Sequence, residues 1–212
     1  MVDYFTTIDG VFENTITIEK SKFITYLKGV KDEDEAKEFI SFIKKKHSLA
    51  THNCYAYISD ENMLVCKFSD DGEPQGTAGM PMLEVLKSTK TVKCVAVVTR
   101  YFGGIKLGAG GLVRAYSGSV AEAIKIAPKL KMYLAKRYKL AVNYEDYSNL
   151  LNKIGNLGLN IIKTDFAQNI EITFAVKNDL VSKTLDFFSN FFSGKEDVVR
   201  IGEGYFPFKE NE

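Results

Sequence analysis

From residue 138 onward the chain sets out hydrophobic periods in an order that few folds can use. "YKLAVNY" alternates as a strand and "EDYSNLLNKIGNLG" takes the helical period. "LNIIKTDFA" and "NIEITFAVKN" alternate again, "LVSKTLDFFSNFFSG" returns to a helix, and "EDVVRIGEGYF" closes as a strand. Gln168 and Asn169 supply the turn between the paired strands. Strand, helix, strand, strand, helix, strand is the order of a ferredoxin-like unit. Val181, Leu185, Phe188 and Phe192 recur at helical spacing, which marks the side of a helix that packs on a sheet.

The preceding part reads differently. Residues 14 to 30, "NTITIEKSKFITYLKGV", form two strands turned near Lys20 and Ser21. In "KDEDEAKEFISFIKKKH" acids load the first turn and lysines the last, matching the helix dipole, with Ala36, Phe39, Ile40 and Ile43 on one apolar face. "THNCYAYIS" and "MLVCKFS" are strands, "MPMLEVLKST" is a helix that tolerates Pro81 in its first turn, and "TVKCVAVVTRYF" is the most apolar strand. "GAGGLVRAYSGSVAEAIKIA" then runs as a helix whose glycines lie at its start, and Pro128 marks its exit. The class expected is α+β. A boundary falls near residues 128 to 136, between an N-terminal domain over 1–130 and a ferredoxin-like domain over 136–208, with the lysine-rich "LKMYLAKRYKL" read as a solvated linker.

Composition limits the function classes. No apolar run approaches the roughly 18 residues that span a bilayer, and the N-terminus has neither a basic start nor an apolar signal core, so a cytoplasmic location with no membrane partner is the default. Cys54, Cys66 and Cys94 lie in apolar strand-like runs without paired spacing, as reduced thiols do, and no structural zinc is expected. The formal net charge is +1. Strong non-specific nucleic-acid binders carry a large positive excess, so any nucleic-acid role here must rest on a local patch.

Two segments could carry chemistry. In "YFGGIKLGAGGLVRAY", Gly103, Gly104, Gly108, Gly110 and Gly111 let a backbone approach a ligand closely, a helix start offers unpaired amides, and Arg100, Lys106 and Arg114 add positive charge. Phosphate is the natural ligand, although the spacing fits neither the P-loop nor the dinucleotide pattern, and a tight strand-to-helix turn is the plain structural alternative. In "SDDGEPQGTAG", Asp70, Asp71 and Glu73 could hold a divalent cation or serve as ion-pair partners of Arg100, Lys106 and Arg114. Taken together, the acidic turn and the glycine segment are expected to form two walls of one cleft. His52 and Cys54 share one face of a strand, where a packed thiol is the expected state rather than a nucleophile, and His47 reads as a helix-end cap.

"THNCYAY", "FSDDGEPQGTAGMPMLEVL" and "VVTRYFGGIKLGAGGLVRAYSGSV" resemble the signature segments of the IMPACT/YigZ family in its two-domain bacterial form. The resemblance implies a first domain with the α/β fold of the second domain of a small-subunit ribosomal protein, of GHMP kinases and of domain IV of elongation factor G. It implies a second domain similar to a ferredoxin-like domain of elongation factor G. Eukaryotic members are translation regulators of the amino-acid-starvation response, acting through an additional N-terminal domain for which this chain lacks room. The expected function is therefore a non-enzymatic regulator of translation that binds RNA or the ribosome and needs no cofactor. The alternative is a magnesium-assisted enzyme acting on a phosphorylated small molecule, with Asp70, Asp71 or Glu73 as metal ligand or general base.

Overall fold

The computed structural model describes residues 2–208 apart from residue 156. The chain divides into two compact units, Met1–Leu130 and Lys131–Glu212.

In the first unit the elements run β1 (Tyr4–Ile8), β2 (Val11–Ile18), β3 (Ser21–Gly29), α1 (Glu33–Lys46), β4 (His52–Ile58), β5 (Cys66–Ser69), α2 (Gly79–Ser88), β6 (Cys94–Tyr101) and α3 (Gly108–Ile126). Sequence periodicity found all of these but β1, a short strand joined to the rest of its unit by the Thr6–Thr91 bridge. One sheet has the order β2-β3-β6-β4-β5, every neighbouring pair antiparallel. β6 lies at its centre and is buried on both faces from Cys94 to Arg100, which explains its nearly unbroken apolar run.

Period-two alternation then divides the core. Ile24, Tyr26, Val95 and Val97 meet Ala36, Phe39, Ile40 and Ile43 of α1 on one face. On the other face Phe23 packs edge-on against Tyr116 of α3, and Thr25 bonds to Ser119 of α3. α1 is capped as its sequence requires: Asp32 accepts from the Glu35 amide, Glu35 accepts from the Lys31 amide, and the His47 amide returns to the Ile43 carbonyl. Pro81 is the third residue of α2, where its missing amide leaves no gap.

The second unit contains β7 (Lys129–Val142), α4 (Tyr144–Ile154), β8 (Asn160–Phe166), β9 (Ile170–Lys177), α5 (Val181–Phe191) and β10 (Asp197–Pro207). Its strands lie in the order β10-β7-β9-β8, all antiparallel, which is the βαββαβ arrangement read from the sequence. Leu140, Ile172, Phe174 and Val176 form the sheet's contribution to the core, Leu150 and Ile154 that of α4, and Phe188 that of α5, with Val181, Leu185 and Phe192 packed around them. The lysine-rich stretch read as a linker is instead part of the long strand β7: Ala135, Tyr138, Leu140 and Val142 are buried, and the half-buried Lys136 and Arg137 interrupt the period-two pattern between them. The chain is thus a mixed α+β protein with two sheets. Among the described residues no helix is long and apolar enough to cross a membrane.

Candidate functional site

β6 determines where Arg100 goes. Because Cys94, Ala96 and Val98 point to the α2–α3 side of the sheet, Arg100 follows them inward and is only 5% exposed. Its Nη1 donates to Glu73 Oε1 at 2.6 Å, and its Nη2 lies 3.3 Å from Ser21 Oγ. The Tyr116 hydroxyl donates to the same Glu73 oxygen at 2.8 Å, and Phe23 and Phe102 flank the guanidinium. A buried carboxylate is thereby matched by one full charge and one hydroxyl, as the burial of such a group requires. His52 completes the cluster. Its Nδ1 bonds to the Asp71 carbonyl, which turns Nε2 toward Glu73 Oε2 at 3.8 Å.

The other two acids are just as fully engaged. Asp70 accepts from the amides of Gly76, Ala78 and Gly79 and so caps the start of α2 from a distance. Asp71 takes Lys44 Nζ at 2.5 Å and the Asn53 amide at 2.7 Å. The acids therefore do not face the glycine segment as a group: of the expected pairings with Arg100, Lys106 and Arg114, only Glu73 with Arg100 forms among the described residues. Nor do they gather as ligands, since among the described residues no three His, Cys, Asp or Glu side chains cluster as a metal site would need.

Cys54 is fully buried, its thiol donating to the Asp70 carbonyl, and burial pushes its pKa up to about 12. Burial likewise raises the Tyr116 hydroxyl. His47 is more than a cap. Its ring is held between the hydroxyls of Tyr26 at 2.7 Å and Tyr101 at 3.0 Å, and burial, with Lys46 beside it, lowers its pKa.

The glycines of the glycine segment themselves make no hydrogen bond to the acids among the described residues. Gly103 donates its amide to Ser21 Oγ, and a side chain there would overlap the Lys20 backbone, so the segment is seated directly on the β2–β3 turn. Gly104 and Gly108 have positive φ. Gly108, Gly110 and Gly111 open α3, whose first turn has no side-chain cap. Lys106 and Arg114 are exposed, have no ion pair among the described residues, and line a groove of about 450 Å³. Its far wall is Ile18 and Glu19 of the β2–β3 turn rather than the acidic turn. The alternation along β6 was the signal for Arg100's burial. Ser21, Tyr116 and the Glu19 wall have no local sign in the sequence, because each is brought in by tertiary packing.

The Impact N-terminal domain family matches residues 19–124, a span that holds the Glu73 cluster and all of the groove's lining except Ile18. The IMPACT family member YvyE of Bacillus subtilis is 40% identical over 93% of this chain and 91% of its own length. The chain belongs to the IMPACT family. Another family member, YigZ of Escherichia coli, is 33% identical over 88% of this chain and 92% of its own. A crystal structure of a hypothetical protein superposes with a TM-score of 0.64 at 30% identity, covering 95% of this chain and 98% of that one. Family membership therefore extends over both units.

Proposed function

We propose that this chain is a cytoplasmic, non-enzymatic regulator of translation that holds RNA through its phosphates at the start of α3. The observation that carries the reading is the groove in which Lys106 and Arg114 stand exposed, without carboxylate partners among the described residues, beside the uncapped first amides of a 19-residue helix. Anions bind where cationic side chains and helix-start amides converge. Membership in the IMPACT family, whose signature segments imply a role in regulating translation, supplies the biological direction. The likeness to ribosomal-protein and elongation-factor domains belongs to the same reading.

In this reading the residues divide their work. Lys106, Arg114, Gly108, Gly110 and Gly111 face the phosphate, while Gly103 and Gly104 shape the loop. Arg100 is a positioning residue, because its guanidinium is committed to Glu73 in the interior. The enzyme alternative assigned its metal ligand or base to Asp70, Asp71 or Glu73, and these three already accept amides, Lys44, Arg100 and Tyr116. RNA affinity should fall as salt rises, and Lys106→Ala should weaken binding and lower the salt slope by roughly one unit. A folded Lys106→Ala protein with unchanged affinity and slope would remove Lys106 from the interface.

A further inference from the structure

The groove contains one group that a phosphate does not explain. Glu19 lines it together with Lys106 and Arg114, yet no ion pair joins the carboxylate to either cation among the described residues. Glu19 and Lys20 are the two central residues of the β2–β3 hairpin, with φ of 45° and 64°. Both positions of such a turn favour glycine, asparagine or aspartate. A glutamate here is held in a conformation its side chain disfavours, and among the described residues no hydrogen bond or ion pair of the fold uses its carboxylate. The turn is also pinned in place, since Gly103 packs on the Lys20 backbone and donates to Ser21. The two walls of the groove are therefore preorganised relative to each other, which lowers the ordering cost of binding.

The chemistry of the wall narrows the ligand. Two cations suit phosphate, but the carboxylate of the exposed Glu19 is an acceptor, and a ligand that displaces its water does best by bringing a donor. Along a nucleic-acid backbone the phosphate and ring oxygens only accept; the donor next to the phosphate is the ribose 2′-hydroxyl, which DNA lacks. Ile18, Ile105 and Leu107 supply apolar surface for the sugar and base, and about 450 Å³ lies within the range of small-ligand sites.

Resting on the RNA reading above, we propose that this groove takes one ribonucleotide unit of a single-stranded RNA, with Lys106 and Arg114 on its phosphate and Glu19 accepting from the 2′-hydroxyl. Glu19 is then the residue that tells RNA from DNA.

The test compares a uridine hexanucleotide with its 2′-deoxy counterpart, by fluorescence anisotropy at one salt concentration. The wild-type chain should prefer the ribo form by about tenfold. Glu19→Gly removes the carboxylate while glycine accepts the turn's positive φ, so the melting temperature should not fall. Loss of a negative charge raises affinity for both strands alike, so the readout is the ratio, which should drop to about one. A ratio that survives Glu19→Gly would overturn the assignment. Equal wild-type binding of the two strands, with both weakened by Lys106→Ala, would overturn the 2′-hydroxyl contact and leave the phosphate reading standing. Affinities untouched by Lys106→Ala, or no binding of either strand, would remove the phosphate reading and this inference with it. Uridine 5′-monophosphate bound as tightly as the hexanucleotide would identify a free nucleotide as the ligand and overturn the strand.

Discussion

Glu73 has no partner to spare. Its side chain is 3% exposed and Arg100's is 6%, so removing either one leaves the other charged and dry. Glu73→Ala is expected to cost about 3–5 kcal/mol in urea unfolding, because the stranded guanidinium then has only Ser21. Glu73→Leu combined with Arg100→Met and Tyr116→Phe should recover much of that loss, since three apolar side chains ask for no partner and no buried hydroxyl is left without its acceptor. His47 gives a second handle. Its folded pKa lies below the ordinary 6.5, chiefly through burial, with Lys46 and Lys22 adding repulsion and Glu13 opposing them. The unfolded chain therefore takes up the proton first. Stability is complete above about pH 6.5 and is lost as pH falls through that value toward the folded one. Thermal melting between pH 7.5 and 5 should show this decline, and His47→Gln should flatten it. A His47→Gln curve parallel to wild type would assign the acid sensitivity to other groups.

At the scale of the element, glycines that look alike in the sequence differ in what they do. Gly103 is fixed by contact: Gly103→Ala should detach the loop from the β2–β3 turn and lower the melting temperature markedly. Gly110, in the first turn of α3, has no positive φ, and a Cβ there would meet only the end of the Arg114 side chain at an ordinary contact distance of 3.7 Å, so the fold itself does not need a glycine there. Gly110→Ala should leave stability unchanged or raise it by up to about 1 kcal/mol while adding a methyl group at the groove. Higher melting temperature with weaker RNA binding is the expected pair of results. Unchanged binding would place the ligand elsewhere. These differences show what the sequence could and could not reveal. The helix and strand order was legible because most elements carry their own period, while Pro81 stands in a first turn that tolerates it and α1 has acids at its start and lysines at its end. The pairing of Glu73 with Arg100 was legible only as one option among several, since charge says who could pair and the direction of each strand face decides who does. Lys106 and Arg114 were found as cations, but their facing wall, Ile18 and Glu19, lies some ninety residues earlier, and no local pattern connects the two.

For the molecule as a whole, the second unit has a complete core of its own, with Leu140, Leu150, Phe174 and Phe188 each 1% exposed or less. A fragment spanning residues 131–212 should therefore fold alone, with a cooperative thermal transition by circular dichroism. A fragment without such a transition would make its stability depend on the remainder of the chain. The first unit has a different history, which follows from its strand order. β3 and β4 are not neighbours; β6 inserts between them, although it is made after both. During synthesis the chain thus holds two separate hairpins, β2–β3 and β4–β5, each with an unfilled edge, for the seconds that translation needs to reach Tyr101. Glu73 waits longer still, because its hydroxyl partner arrives only with Tyr116. A protein read here as a regulator of translation is therefore, while it is being made, dependent on the pace of the ribosome for closing its own central sheet.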